Sequence, residues 1–161
     1  MKKIFTTFLF FSILTSSLNA HISHYKKINK IEMEIFRNDE VIGYNHYFFK
    51  RDKDFTQITN QIKFKVKILG ATIFKVEGYG EEKYNKEKLI SFNSKTKQNK
   101  KIKFVNLELD KKNNKFIIQG SSYSGRAETT NVIGNWWNHQ LLQAESQISP
   151  ISGSIKKQIV T

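Results

Sequence analysis

The chain has 161 residues, enough for one domain with a substantial apolar core. It contains no cysteine, so disulfide bonds are excluded as a source of stability. Its formal net charge is +13, and only three of its 27 basic residues are arginine. Because nucleic-acid sites favour arginine for its planar pair of donors, we expect no nucleic-acid partner.

Residues 1–20 have the pattern of a secretory signal peptide. Two lysines precede a largely apolar run, residues 4–14, and mostly small or polar residues follow up to Ala20. The apolar run is shorter than the ~20 residues that a membrane-spanning helix needs. We therefore predict cleavage near Ala20, export to the periplasm or out of the cell, and a single β domain at residues 21–161.

Strand-like segments separated by short polar turns follow one another along most of this domain. The predicted strands are Ile28–Phe36, Val41–Lys50, Phe55–Leu69, Ala71–Tyr84, Leu89–Lys97, Lys101–Leu109 and Lys115–Gln119. This arrangement indicates an antiparallel meander. The longer strands would extend over ~50 Å, whereas a domain of this length has a radius of gyration near ~14 Å. We therefore predict a mainly β fold with a strongly curved sheet that forms an incomplete barrel.

Residues 63–68 alternate between lysine and apolar side chains, which is typical of a sheet with one solvated and one buried face. The buried face continues in the next strand, where Gly78 and Gly80 follow Phe74 and Val76 in phase. The missing side chains indicate either bends and bulges or room for a ligand. The predicted ligand-binding residues are Phe64, Val66, Ile68, Phe74, Val76, Gly78 and Gly80, with Trp136 or Trp137 near the mouth of the face.

Residues 131–146 change to a helical pattern, and Asn135 is suited to cap the helix. The stripe on one helix face consists of Ile133, Trp137, Leu141 and Ala144. We therefore predict one short helix that covers a mouth of the curved sheet. Adjacent residues on a helix point about 100° apart. Trp137 is thus the candidate for the core, while Trp136 either lines an opening or packs as part of a helix cap.

Cleavage after Ala20 would leave an amino terminus with His21 and His24, a set that fits copper ligation but that we interpret as a disordered chain end. No other group of residues has the spacing of an enzyme, metal or cofactor site. The sequence shows no phosphate-binding glycine loop, nucleophile elbow or His and Cys cluster at ligand spacing. Glu77, Glu81 and Glu82 lie close in sequence, but Glu77 and Glu81 alternate with the glycine face and point towards the lysines. We interpret these two as partners in cross-strand ion pairs. We expect no catalytic activity, metal or cofactor.

The last residues, 155–160, alternate like a strand that has no successor. An unpaired strand at the edge of a sheet is an aggregation liability that natural folds usually cover. We therefore expect a shortened form that lacks further C-terminal strands and whose sheet does not close.

Three stretches of the chain resemble an uncharacterised family of exported bacterial proteins, described as a domain of unknown function. They are FKVKILGATIFKVEGYGEEKY, SFNSKTKQNKK and WWNHQLL, within a resemblance that begins at about Ile28. The family's strand end, Phe-x-Val-x-x-Leu-Gly, and its Trp-Asn pair are matched by Phe64, Val66, Leu69, Gly70, Trp137 and Asn138. The chain has Asn135-Trp136 where the family more often has Ser-Tyr. The resemblance implies export, a β meander and further strands, and it implies no activity.

Two classes of function fit these features. The first is a non-enzymatic binding or carrier module whose curved sheet encloses an apolar small molecule or a lipid-like ligand. The second is a structural or interaction protein of the cell envelope, whose lysine-rich sheet face contacts an anionic membrane surface.

Overall fold

The computed structural model describes residues 25–159, so the predicted signal peptide lies outside the described residues. Eight strands form one sheet in chain order, each antiparallel to the next. They are β1 (Lys30–Arg37), β2 (Glu40–Asp52), β3 (Phe55–Ile68), β4 (Ala71–Asn85), β5 (Lys88–Gln98), β6 (Lys101–Asp110), β7 (Lys115–Gly120) and β8 (Ser124–Glu128). The predicted mainly β antiparallel meander is confirmed, and β8 is an additional strand.

The eight-stranded sheet is open, because β1 and β8 are its two edges and are not paired with each other. A smaller sheet follows, in the order β11-β10-β9, built from β9 (Val132–Ile133), β10 (Ser146–Ile148) and β11 (Ile155–Lys157). The prediction of a sheet that does not close is confirmed. Within residues 25–159, no helix is long and apolar enough to cross a membrane.

One face of the meander is concave, since side chains from β1 to β5 line a single cavity on it. The buried core lies on this face and includes Tyr47, Phe49, Ile58, Phe92, Val105, Leu107, Phe116 and Ile118. Residues 129–159, here named the cover segment, contribute Ile133, Trp137 and Ile148 to the same cluster. The cover segment therefore buries one part of the concave face.

The predicted short helix is a 3-10 helix at His139–Leu142, much shorter than the stripe from Ile133 to Ala144. The residue that caps it is Asn138, whose side-chain oxygen accepts a hydrogen bond from the backbone N–H of Gln140 over 3.1 Å. The helical interpretation of the other stripe residues was wrong, because long-range contacts override the local spacing. Ile133 pairs with Ile148 in the small sheet.

Candidate ligand-binding cavity

A cavity of about 400 Å³ lies on the concave face, between strands β1–β5 and the cover segment. Its apolar lining consists of Met33, Ile35, Ile62, Phe64, Phe74, Val76, Phe92, Trp136, Pro150 and Ile151. The Ser94 hydroxyl donates to the carbonyl of Pro150 over 2.6 Å and so joins the cover segment to one side of the cavity. The volume and the apolar walls are those of a small-molecule site.

The structure brings together only some of the residues that the sequence predicts for this site. Phe64, Phe74, Val76, Gly80 and Trp136 line the cavity. Val66 and Ile68 lie further along β3, towards the β3–β4 turn, and do not line it. Trp137 is 2% exposed and belongs to the core, as the helical stripe had suggested, whereas Trp136 is 73% exposed at the rim of the cavity.

Gly78 and Gly80 have different roles, and neither forms a bulge. Both keep a regular antiparallel register with β3 and β5. A Cβ atom at Gly78 would approach Ile62 Cγ2 and Thr96 Oγ1 to 2.9 Å, so this glycine allows close side-chain packing. A Cβ atom at Gly80 would make only ordinary contacts, the nearest at 3.4 Å from Phe92. Only Gly80 therefore adds free space to the cavity.

A hydrogen-bonded cluster of polar side chains from β2 and β3 lines one part of the cavity. The Asn60 amide donates to Asn45 Oδ1 over 2.6 Å, and the Asn45 amide donates to the Tyr47 hydroxyl oxygen over 2.9 Å. That oxygen also accepts from the backbone N–H of Trp136 over 3.3 Å. Burial raises the pKa of Tyr47 to about 12, so its hydroxyl keeps its proton. With two hydrogen bonds accepted, the Tyr47 O–H remains a donor for a ligand.

A second polar group, centred on Glu82, joins the sheet to the cover segment. Glu82 is 1% exposed, and one of its oxygens accepts hydrogen bonds from the Asn135 amide over 2.6 Å and from the Trp137 indole over 2.8 Å. The other oxygen accepts from the Tyr84 hydroxyl over 2.5 Å. An α-helix would place residues 135 and 137 about 200° apart. Their shared bond to one carboxylate is therefore incompatible with the predicted helix.

Burial raises the pKa of Glu82, and the three hydrogen bonds oppose this rise without cancelling it. Glu82 lies close in sequence to Glu77 and Glu81, and no face of the sheet was predicted for it. The same alternation that put Gly80 on the buried face also puts Glu82 there, so the signal was present. Glu77 and Glu81 point outward, and the expected cross-strand ion pair is confirmed for Glu77, which lies 3.4 Å from Lys63 of β3. The ion pairs of Glu77 with Lys75 and of Glu81 with Lys83 are formed within β4, and the cross-strand partner of Glu81 is the Gln57 amide, which donates over 2.7 Å.

A second depression, of about 420 Å³, lies at the opposite end of the concave face beside the β4–β5 turn. Its lining is more polar and includes Glu87, Lys88, Thr129, Thr130 and Asn131. Within residues 25–159, no group of three or more His, Cys, Asp or Glu side chains could hold a metal ion. The apolar cavity under Trp136 is therefore the stronger candidate for a binding site.

The fold and the cavity define the class of this protein. It is an all-β protein with a cavity on the concave face of an open antiparallel meander. The family model described as Domain of unknown function (DUF6134) matches residues 33–161, and the chain belongs to this family. The resemblance seen in the sequence is thereby confirmed. No curated protein and no solved structure matches the chain.

Proposed function

We propose that this protein is a non-enzymatic binding or carrier module for a small apolar or lipid-like ligand. The observation that carries the proposal is the cavity of about 400 Å³, whose walls are largely apolar and whose polar groups include a hydrogen-bonded cluster of Asn45, Tyr47 and Asn60 on β2 and β3. Sites of this shape and composition bind the apolar body of a ligand by burial and orient it through a few hydrogen bonds.

The polar groups favour a ligand whose head is uncharged. Asn45, Tyr47 and Asn60 are all neutral, and the only charged residue in the lining is Glu34, which is exposed. No lysine or arginine among the lining residues could neutralise a carboxylate, and an unpaired buried charge is costly. The Tyr47 hydroxyl suits a carbonyl, ester or alcohol oxygen as its acceptor. An uncharged ester or alcohol with an apolar body is therefore the proposed class of ligand.

Export to the periplasm or out of the cell is part of the proposal and rests on the pattern of residues 1–20 alone. Sequencing of the protein's amino terminus, after isolation from its native host, should give a start at or near His21. Recovery of a protein that begins at Met1 would contradict export by this route.

The test of the function compares a pyrene-labelled fatty methyl ester with the corresponding fatty acid at neutral pH. The ester should bind at least about tenfold more tightly, because the ionised acid would bring an unpaired charge into the cavity. Absence of binding by both probes would overturn the proposal. Tighter binding of the acid would overturn the uncharged head while leaving the cavity as the site.

Gly80→Val locates the bound probe. The added side chain enters the cavity at a position where a Cβ atom fits, so we expect binding of the ester to fall at least about tenfold with little change in melting temperature. Thr59→Val is the matched control, since Thr59 neighbours Asn60 on β3 and points to the opposite face. Equal binding by Gly80→Val and the unmutated protein would place the ligand elsewhere.

A further inference from the structure

The β3–β4 hairpin reaches beyond the strands on either side of it. β3 and β4 pair with each other as far as Ile68 and Ala71. In contrast, β2 pairs with β3 only to Phe64, and β5 pairs with β4 only to Val76. Residues 65–75, here named the hairpin tip, therefore form ladder pairs only with each other. Neighbouring segments also bond to them through Asn99, which accepts from Lys75 at the base, and through Arg37, which donates to the Lys67 carbonyl nearer the end.

The turn of this hairpin carries an apolar side chain where the other turns carry polar ones. Leu69 has a φ of +50°, and the other non-glycine residues with positive φ in the described part of the chain are all asparagine, aspartate or lysine. A bulky apolar residue is unfavourable in this conformation. Leu69 is also 102% exposed, and a Cβ atom added at Gly70 would meet nothing within 4 Å. Neither the conformation of the turn nor burial within the protein therefore accounts for a leucine at this position.

Exposed apolar and basic side chains surround Leu69. Ile68 and Ile73 are about half exposed. Lys65 lies directly opposite Lys75 across the two strands, an arrangement of like charges that is destabilising unless an anion lies nearby. Lys75 is paired with Glu77, and no ion pair of Lys65 or Lys67 is formed within the described residues.

Acidic residues are present at the same end of the sheet, but beside the tip and not on it. Asp39 lies in the β1–β2 turn and Glu40 begins β2, while Arg37, the last residue of β1, donates from its guanidinium to the Lys67 carbonyl over 3.4 Å. Between residues 65 and 75 the sequence has three lysines and no acid. The hairpin tip is therefore both apolar at its end and basic along its sides.

We propose that the hairpin tip docks on an anionic lipid bilayer. Leu69, with Ile68 and Ile73, enters the interfacial region, while Lys65 and Lys67 contact lipid phosphates. Aliphatic groups at the end of a protrusion and lysines behind them match the apolar and anionic layers of a bilayer in the correct order. A depression beside the tip is lined by Lys65, Lys67 and Ile68 together with residues from the range 37–42, but Leu69 does not line it. A partner seated in that depression would therefore leave the exposed leucine without a role. This docking does not depend on what occupies the cavity.

The test is co-sedimentation with vesicles of equal parts phosphatidylcholine and phosphatidylglycerol, compared with vesicles of phosphatidylcholine alone. The unmutated protein should bind the anionic vesicles preferentially. Leu69→Asn should weaken binding about tenfold, because it removes the side chain that is buried in the bilayer. Lys65→Gln and Lys67→Gln should each weaken binding about fivefold at low salt. Phe55→Asn removes a 53% exposed apolar side chain at the opposite end of β3 and should leave binding unchanged.

Several results would overturn this proposal. One is the absence of binding to the anionic vesicles. A second is binding that depends on the lysines but is unchanged in Leu69→Asn, which would indicate adsorption without insertion. A third is concentration-dependent dimerisation that Leu69→Asn abolishes in the absence of lipid. The pyrene ester should bind Leu69→Asn as it binds the unmutated protein, so failure of the docking proposal is distinguishable from failure of the carrier proposal.

Discussion

The two halves of the concave face are built from the same alternating strands but differ in what lies over them. In the covered half, Ile58, Phe92 and Leu107 are buried in one cluster with Ile133, Trp137 and Ile148 of the cover segment. In the open half, Ile62, Phe64 and Phe74 are only half-buried beside the cavity. Strand alternation therefore produces an apolar face, and the cover segment determines which part of it becomes core.

The polar groups of the two halves differ in the same way. In the covered half, both oxygens of Glu82 accept hydrogen bonds from side chains of the fold. At the boundary between the halves, beside the cavity, the buried Tyr47 hydroxyl still has a proton to donate, and Asn60 Oδ1 accepts no hydrogen bond from the described residues. A saturated polar group stabilises the fold, whereas an unsaturated one beside a cavity is available to a ligand.

The largest effect should come from the paired tryptophans. Trp137→Ala should lower the free energy of unfolding by about 3–5 kcal/mol, because it opens a large hole in the covered half. Trp136→Ala should cost less than about 0.5 kcal/mol, since its side chain is mostly in solvent. Urea unfolding of the two variants measures the difference. Similar losses for both would mean that Trp136 belongs to the core.

The link through Glu82 should give the next largest effect. Glu82→Ala leaves three donors unsatisfied beneath the cover segment, and each buried orphan costs about 1–3 kcal/mol. Glu82→Gln keeps an acceptor for Asn135 and Trp137 and can donate to the Tyr84 oxygen, so it should cost much less. The two midpoints of urea unfolding test this order. Equal losses would show that the negative charge, and not the hydrogen bonds, holds the link.

The raised pKa of Glu82 predicts a dependence of stability on pH. A folded-state pKa above the ordinary value of 4.5 means that protonation favours the folded state. The stabilisation is fully present below about pH 4.5 and is lost as the pH rises through the folded pKa. Glutamine at position 82 does not titrate. The unfolding free energy of the unmutated protein should therefore fall relative to that of Glu82→Gln as the pH rises. A difference that stays constant across this window would contradict the raised pKa.

Alanine substitutions at Gly78 and Gly80 should show which glycine is needed for close side-chain packing and which only leaves free space in the cavity. Gly78→Ala should destabilise the fold by about 1–3 kcal/mol, because its Cβ atom would crowd Ile62 and Thr96. Gly80→Ala should be close to neutral or slightly stabilising, since its Cβ atom fits and the backbone is extended. Thermal unfolding measures both. A larger loss at Gly80 would mean that the cavity wall is already fully packed.

The smallest effect should be a gain in stability at the hairpin tip. Asparagine tolerates the φ of +50° at position 69 better than leucine does. Leu69→Asn should therefore raise the unfolding free energy by up to about 1 kcal/mol. A clear loss of stability would show that Leu69 packs against the protein, contrary to its full exposure.

The strands could be predicted from sequence because alternation is a local signal. The alternation in residues 63–68 correctly predicted which face of β3 is buried, and the polar turns correctly predicted the hairpins. β8 was missed because Ala127 is its only buried residue and its short sequence has no apolar repeat. A short strand that contributes little to the core therefore carries too weak a pattern to be predicted.

The candidate site was predicted in part because its location depends on register and on long-range bonds. Phe64, Phe74, Val76 and Gly80 follow from alternation alone. The polar side of the cavity requires Asn45 and Asn60 to meet across β2 and β3, which depends on a register that no local pattern specifies. The helix prediction failed for the same reason, since Glu82 lies 53 residues from Asn135.

The separate ladders of the two sheets have a kinetic consequence. Each strand of the meander pairs with its neighbour in sequence, so its hairpins can close short loops early in folding. No ladder joins the cover segment to the meander, and the bond from Asn135 to Glu82 closes a far longer loop. The cover segment should therefore dock late and open first, as a local unfolding unit. Amide hydrogens of β9 and β10 are expected to exchange faster than those of β3 and β4, and each opening should widen access to the cavity.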